Sequence, residues 1–243
     1  MDLKYDLVSE MRPKIGLIVL QADESIETDM RRMMPHDVEL LVSRLPSSTE
    51  VTSDSLAQMA GVLTKSASLF PEGVKFATIG YGCTSGTAEI GVSKIAELIS
   101  EGANAVEITE PVSALIAACR SLKITQIGLV SPYIAQVSET LCEVLMRAGI
   151  SVTTFASFNE AEESKVVRIA PASIAKAAIE MGNSGECEAV FLSCTNLRTL
   201  DIIDDVESAI DLPVLSSNQV LGWDILRKAG GSSDGFRPGR LWG

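Results

Sequence analysis

The sequence predicts an α/β chain of two similar lobes, each a small parallel sheet flanked by helices, and three observations support that expectation. Short β-branched runs alternate with segments of helical period, the pattern of βαβ units feeding a parallel sheet. The pattern is duplicated, because Ile15-Gly16-Leu17-Ile18-Val19 returns as Ile127-Gly128-Leu129-Val130, 112 residues later. Finally, Phe76-Ala77-Thr78-Ile79-Gly80-Tyr81-Gly82-Cys83-Thr84-Ser85-Gly86-Thr87 and Ala189-Val190-Phe191-Leu192-Ser193-Cys194-Thr195-Asn196-Leu197-Arg198-Thr199 vary one phrase, their cysteines 111 residues apart. Each reads as an apolar strand, then Cys-Thr, then polar residues expected to open a helix.

In the first half, strands are expected at 15–20, 38–43, 76–80 and 105–109. Ile26, Met30, Met33 and Met34 mark a helix after the first strand. Ala88, Val92, Ile95, Ala96 and Ile99 are spaced as one continuous buried stripe. Pro111 suits the first turn of a further helix, whose apolar face holds Val112, Leu115, Ile116, Cys119 and Leu122. The second half repeats the order, with strands expected at 126–130, 151–155, 189–193 and 213–216. Ile134, Val137, Leu141, Val144, Leu145 and Ala148 fit one helix, closed by Gly149 near its C-cap. The expected division is 1–118 plus 214–243 for the first lobe and 119–213 for the second. The tail from Gly230 to Gly243, rich in glycine and serine, is expected to be loosely held.

With 243 residues and 46% hydrophobic content, the chain has material for two cores. Its net charge of −12 lacks the basic footprint that nucleic acid or an anionic membrane requires. The first fourteen residues mix both charge signs and lack the apolar stretch of a secretory signal. No apolar run reaches the length of a membrane span. The five cysteines are odd in number and contain no Cys-x-x-Cys pair, so neither a disulfide framework nor a zinc knuckle is indicated. A cytoplasmic protein working as a homo-oligomer is expected. The single histidine, His36, removes most triad and histidine-metal schemes. Acid–base chemistry is left to thiols, carboxylates, tyrosine or lysine.

In parallel α/β sheets, ligands bind beyond the carboxyl ends of the strands, and Cys83 and Cys194 both stand at such ends. A helix N-terminus behind each would lower its thiol pKa toward working pH. Cys119 and Cys142 fit helix packing, and Cys187 lies between two glutamates that oppose a thiolate. Gly80-x-Gly82-x-x-x-Gly86 departs in spacing and position from a dinucleotide fingerprint; close backbone packing beside a small ligand explains these glycines better. In the loop Gln21-Ala22-Asp23-Glu24-Ser25, Asp23 or Ser25 suits a helix cap, and the same loop opens onto the cleft. Tyr133, at the matching place in the second half, has a phenol able to bond a substrate carboxylate or sit beside a thiol. Thr84, Ser85 and Thr195 offer hydroxyl and backbone donors for a carboxylate.

These residues together resemble the aspartate/glutamate racemase superfamily, most closely its maleate cis–trans isomerase and arylmalonate decarboxylase branch. The resemblance spans residues 12–229. It rests on Ile15-Gly16-Leu17-Ile18-Val19 with Ile26-Glu27-Thr28-Asp29, on Gly82-Cys83-Thr84-Ser85, on Ser131-Pro132-Tyr133, on Leu192 through Thr199, and on Ser217-Asn218-Gln219 with Trp223. It implies two pseudo-symmetric Rossmann-like lobes with the active site between them and no metal or organic cofactor. It also implies that Cys83 and Cys194 act as a pair, either moving an α-proton between opposite faces or adding to a double bond. Decarboxylases of the branch keep only the second-lobe cysteine, so two cysteines favour racemisation or isomerisation.

Maleate isomerase-like members have an asparagine in the first loop where this chain has Asp23, which would repel a dicarboxylate. Members with such a loop resemble proteins of ectoine utilisation, implying a diaminobutyrate-type amino acid. The expectation is a cofactor-independent racemase or isomerase of a small amino or carboxylic acid, with Tyr133 and Asn218 positioning the substrate. The alternatives are a maleate isomerase, an arylmalonate-type decarboxylase, or a two-lobe protein that only binds a small ligand.

Overall fold

Each of the eight runs read as strands pairs into a sheet. The computed structural model describes residues 1, 3–8, 11–230 and 234–243. In chain order the first half comprises β1 (Lys14–Leu20), α1 (Ile26–Met33), β2 (Glu39–Leu45), α2 (Ser53–Gln58), α3 (Ala60–Ala67), β3 (Lys75–Gly82), α4 (Thr84–Ile90), α5 (Val92–Gly102), β4 (Asn104–Thr109) and α6 (Pro111–Leu122). The second comprises β5 (Gln126–Ser131), α7 (Ala135–Arg147), β6 (Ser151–Ser157), α8 (Glu163–Val166), α9 (Pro171–Gly182), β7 (Ala189–Leu192), α10 (Ile203–Ile210), β8 (Val214–Ser216) and α11 (Ser217–Ala229).

The strands form two four-stranded sheets, ordered β2-β1-β3-β4 and β6-β5-β7-β8. Every pairing within them is parallel. The duplication read from sequence is thus a duplication of topology. Central strands are covered on both faces, which is why β1 and β7 read as nearly unbroken apolar runs.

The two halves exchange helices. α6 leaves the first sheet, yet its Val112, Leu115, Ala118 and Cys119 share a core with Ile127, Leu129, Leu141 and Phe191 of the second half. α11 leaves the second sheet and returns to the first, where Ile225 fills the space above Gly80. The expected lobe boundaries therefore need correction at both ends. β8 pairs with β7 and belongs to the second sheet, and the apolar face of α6 belongs to the second core although residues 111–118 were assigned to the first lobe.

Two further expectations are corrected. The stripe from Ala88 to Ile99 is not one helix, because Gly91 breaks it with φ of +92°. Ala88 then joins the core of the second half while Ile95 and Ile99 join that of the first, and one straight helix could not serve both. The described part of the C-terminal tail is also held; residues 231–233 lie outside the described residues. Gln219 Nε2 donates to the Pro238 carbonyl at 2.7 Å, and Phe236 N–H to the Arg32 carbonyl at 2.9 Å. The Arg237 guanidinium lies 4.2 Å from the Trp242 ring centroid. Glycine and serine content says nothing of such anchors. No helix among the described residues is long and apolar enough to cross a membrane.

Gly91→Ala forces a side chain into the left-handed backbone region and should lower unfolding free energy by about 1–3 kcal/mol in urea titrations. Gly61→Ala in α3, where a Cβ meets nothing within 4 Å, should be neutral or stabilising by up to about 1 kcal/mol.

Candidate active site

The carboxyl ends of both sheets converge on one pocket between the lobes. It is lined by Leu20 and Asp23 after β1, Leu56 of α2, Cys83, Thr84 and Ser85 after β3, Tyr133 after β5, Glu163 after β6, and Cys194, Thr195 and Asn196 after β7. The pocket is nearly closed, with space for little more than water. Of the residues expected from sequence, Cys83, Cys194, Asp23, Thr84, Ser85, Tyr133 and Thr195 meet here. Asn218 does not. It is fully buried behind the wall, its amide donating to Asp29 Oδ2 and to the Thr195 carbonyl, both at 2.8 Å. Cys119 is fully buried in α6 as expected, and Cys142, half-buried, packs against the same core as expected while also lining an outer groove with Glu143, Met146 and Phe155.

The two cysteines have different local settings. Cys83 caps α4, its Sγ accepting the Gly86 N–H at 3.2 Å. The first N–H groups of a helix have no partner inside it; that of Gly86 turns back onto Cys83 Sγ, the Thr87 N–H makes the first helical bond to the Cys83 carbonyl, and Thr84 and Ser85 line the pocket. Cys194 is followed by a turn and by no helix, and it sits at φ of +116°, a backbone region that strains a non-glycine residue. Its Sγ accepts the Asn196 N–H at 3.3 Å, and its own N–H donates to Ser217 Oγ at 3.0 Å.

The expected lowering of the thiol pKa values is also corrected. Burial pushes Cys83 up to about 12, with the Glu163 and Asp23 carboxylates acting in the same direction against the Gly86 N–H. Burial likewise pushes Cys194 well above the ordinary thiol range, reinforced by Glu163 and opposed by Tyr133 and Asn196. One short helix end cannot offset full desolvation beside two acids.

Glu163 is the charged pocket residue that sequence reasoning missed. It stands in the acidic run Glu160-Ala161-Glu162-Glu163, which reads as a solvated surface, yet it is only 5% exposed. A backbone clasp turns it inward: Val51 N–H donates to the Ala161 carbonyl at 3.0 Å, and Glu163 N–H to the Thr49 carbonyl at 3.1 Å. Both of its carboxylate oxygens are engaged. Tyr133 Oη donates to Oε1 at 2.5 Å and Asn196 Nδ2 to Oε2 at 2.7 Å, while Tyr133 Oη lies 3.0 Å from Cys194 Sγ.

Asp23 fulfils both readings offered for its loop. Its Oδ1 accepts the Ser25 and Ile26 N–H groups, each at 2.9 Å, which caps the start of α1. Its buried Oδ2 forms no hydrogen bond of good geometry, although the Thr195 hydroxyl is beside it and donates to the Gly82 carbonyl at 3.3 Å. Burial raises the pKa of both Asp23 and Glu163. Among the described residues, no lysine, arginine or histidine lines the pocket.

Buried and part-buried hydrogen bonds pin the halves together around this site. Ser25 Oγ donates to the Thr195 carbonyl at 2.6 Å, Glu24 N–H to Asn196 Oδ1 at 2.9 Å, and Thr84 Oγ1 lies 2.7 Å from Ser217 Oγ. The glycines around Cys83 make room for protein and not for ligand. A Cβ at Gly82 would meet Ile26 at 2.6 Å, and one at Gly86 would meet Met59 at 2.7 Å and Cys83 Sγ at 2.8 Å. Among the described residues, no cluster of three or more His, Cys, Asp or Glu is arranged to hold a metal.

Comparison with known proteins gives a consistent result. The family model described as arylmalonate decarboxylase matches residues 15–242. The chain is 25% identical to the arylmalonate decarboxylase of Bordetella bronchiseptica, over 93% of this chain and 94% of that protein. It is 23% identical to the maleate isomerase of Geobacillus stearothermophilus, over 88% and 90%. The crystal structure of the maleate isomerase Iso from Pseudomonas putida S16 superposes with a TM-score of 0.85 at 20% identity, covering 96% of this chain and 98% of that one. A Nocardia farcinica maleate cis–trans isomerase mutant with a covalently bound succinylcysteine intermediate gives a TM-score of 0.83 at 20% identity, with the same coverage.

Behind the pocket wall, burial raises Asp29 to about 6, against the Asn218 amide that favours its charged form. An acid whose folded pKa exceeds its unfolded value binds more protons when folded, so stability falls as pH rises between the two values. Relative to Asp29→Asn, the wild-type chain should therefore lose stability from about pH 4 to about pH 6 and stay at its lowest above, as read from urea midpoints along a pH series.

Proposed function

The chain belongs to the arylmalonate decarboxylase family, and within it we propose a cofactor-independent racemase or isomerase that uses Cys83 and Cys194 as a pair on a small carboxylic acid bearing an amine. The observation behind this reading is that both thiols, one from each copy of the repeat, line a single buried pocket. An acid on each side of a carbon suits removal of a proton from one face and delivery to the other. In one direction the Cys194 thiolate takes the α-proton, the electron pair passes into the substrate carboxylate, and the Cys83 S–H returns a proton to the opposite face.

Charge supports an amine on the substrate. Asp23 and Glu163 line the pocket, and the nearby Arg44 guanidinium is held on the Asp23 backbone carbonyl, so a second substrate carboxylate would be repelled, whereas an ammonium would find the unpartnered Asp23 Oδ2. In this reading the Thr84 and Ser85 N–H groups and the Thr195 loop receive the single carboxylate, and Tyr133 lies beside Cys194. A diaminobutyrate-type amino acid fits this charge pattern. The names of the relatives favour a second reading, maleate-type cis–trans isomerisation, in which one cysteine adds to the double bond, the former double bond rotates as a single bond, and the thiolate is expelled.

A screen of small amino acids and unsaturated diacids in deuterium oxide distinguishes the two. Solvent deuterium should enter the α-position of an amino acid during inversion, Cys83→Ser and Cys194→Ser should each abolish inversion, and Asp23→Asn should weaken turnover at least about tenfold. Efficient conversion of maleate with a substrate-sized adduct on either cysteine, and no solvent deuterium in product, would make the second reading correct.

A further inference from the structure

We propose that Glu163 is the proton acceptor for Cys194, reached through the Tyr133 hydroxyl, so that the two thiols of the pocket are generated unequally. The contacts run in one line: Cys194 Sγ to Tyr133 Oη at 3.0 Å, and Tyr133 Oη to Glu163 Oε1 at 2.5 Å. A phenol has one proton, and a carboxylate offers only acceptors, so that proton points at Glu163. The thiol must then direct its own proton at the phenol oxygen. Transfer along the line breaks the Cys194 S–H bond and forms O–H on Tyr133, while the former phenolic proton forms O–H on Glu163. The products are a thiolate, a neutral phenol and a neutral carboxylic acid, and the single negative charge is conserved.

Two features of the site fit a relay and not a ligand for substrate. Glu163 has no free oxygen, because Tyr133 occupies Oε1 and Asn196 occupies Oε2, whereas Asp23 Oδ2 is buried without a partner of good geometry. The Asn196 amide is itself fixed, its Oδ1 accepting the Glu24 N–H. Cys83 has no comparable exit. The tyrosine beside it, Tyr81, ends on the thioether sulfur of Met59 at 3.9 Å, a group that does not accept protons at ordinary pH. The other charged groups bearing on the relay are Asp23, which opposes further negative charge on Glu163, and Arg44, whose guanidinium donates to the Asp23 carbonyl at 3.0 Å.

The proposal rests on Cys194 serving as a base, but its test requires no substrate. Iodoacetamide is applied to the intact protein over a pH series, and alkylation of each cysteine is followed by peptide mass spectrometry. Cys83 shares the pocket and reports reagent access; because the Glu163 carboxylate also raises its thiol, the Glu163 variants are read from the absolute Cys194 rate as well as from its ratio to Cys83. At neutral pH, Glu163→Gln and Tyr133→Phe should each slow Cys194 at least about tenfold relative to Cys83 and move its reactivity to higher pH, with Glu163→Asp restoring part of the rate. Should Glu163→Gln fail to fold, Tyr133→Phe interrupts the same line. If Glu163 acts only through its charge, its removal makes the thiolate easier to form and Cys194 accelerates; that result, or an unchanged Cys194 to Cys83 ratio, overturns the relay. Deuterium exchange with substrate tests the proposed reaction separately.

Discussion

The geometry of the site depends on a few buried hydrogen bonds that cross from one half of the chain to the other. Ser217 is the clearest case, since its hydroxyl meets the Thr84 hydroxyl of the first half and the Cys194 N–H of the second. Through this one oxygen, the turn holding one thiol is referenced to the helix capped by the other. A net hydrogen bond contributes about 1 kcal/mol, but leaving a buried partner unpaired costs about 1–3 kcal/mol. The crossing bonds therefore resist relative sliding of the halves more than their summed strength suggests. The strained backbone at Cys194 persists because its N–H and sulfur are both engaged, so the surrounding structure over-determines its conformation.

Within that frame, the pocket concentrates acids where water is scarce. Two thiols, a phenol and two carboxylates share it, and burial disfavours the charged form of each. Such a site resists holding several negative charges together, which couples the protonation state of each group to the others. A ligand bearing positive charge relaxes this competition, and one bearing two negative charges sharpens it. The pocket has space for little more than water, so a ligand the size of the proposed amino acid requires it to widen. The backbone clasp between Thr49–Val51 and Ala161–Glu163 crosses between the halves at this point, so the segment that places Glu163 is also one that opening would disturb.

Much of this was legible from sequence because parallel βαβ architecture ties chemistry to position. The repeat located the strands, and the strand ends located Cys83, Cys194, Tyr133 and the Asp23 loop. The errors arise where local pattern is overruled by packing between the halves. The apolar spacing from Ala88 to Ile99 is helical throughout, but Gly91 redirects the chain so that the two ends serve different cores. Asn218 belongs to a motif near the site, yet its place one residue beyond Ser217, about 100° around α11, sets it behind Thr195 instead of inside the pocket. Glu163 had no local signature, since an acidic run looks the same whether solvent or a phenol faces its last member. The thiol pKa expectation failed because it weighed a helix end and omitted desolvation.

The exchange of α6 and α11 bears on the origin and folding of such a chain. Each repeat lends its last helix to the other's sheet, so one repeat alone would leave a sheet face uncovered and an apolar helix without a partner. Two separate copies could satisfy both needs by swapping those helices about a two-fold axis, an isologous arrangement open to an ancestor of half this length. After fusion, that symmetry becomes an obligation: the first sheet waits for residues synthesised more than a hundred positions later, so its core cannot be completed during synthesis until nearly the whole chain is available.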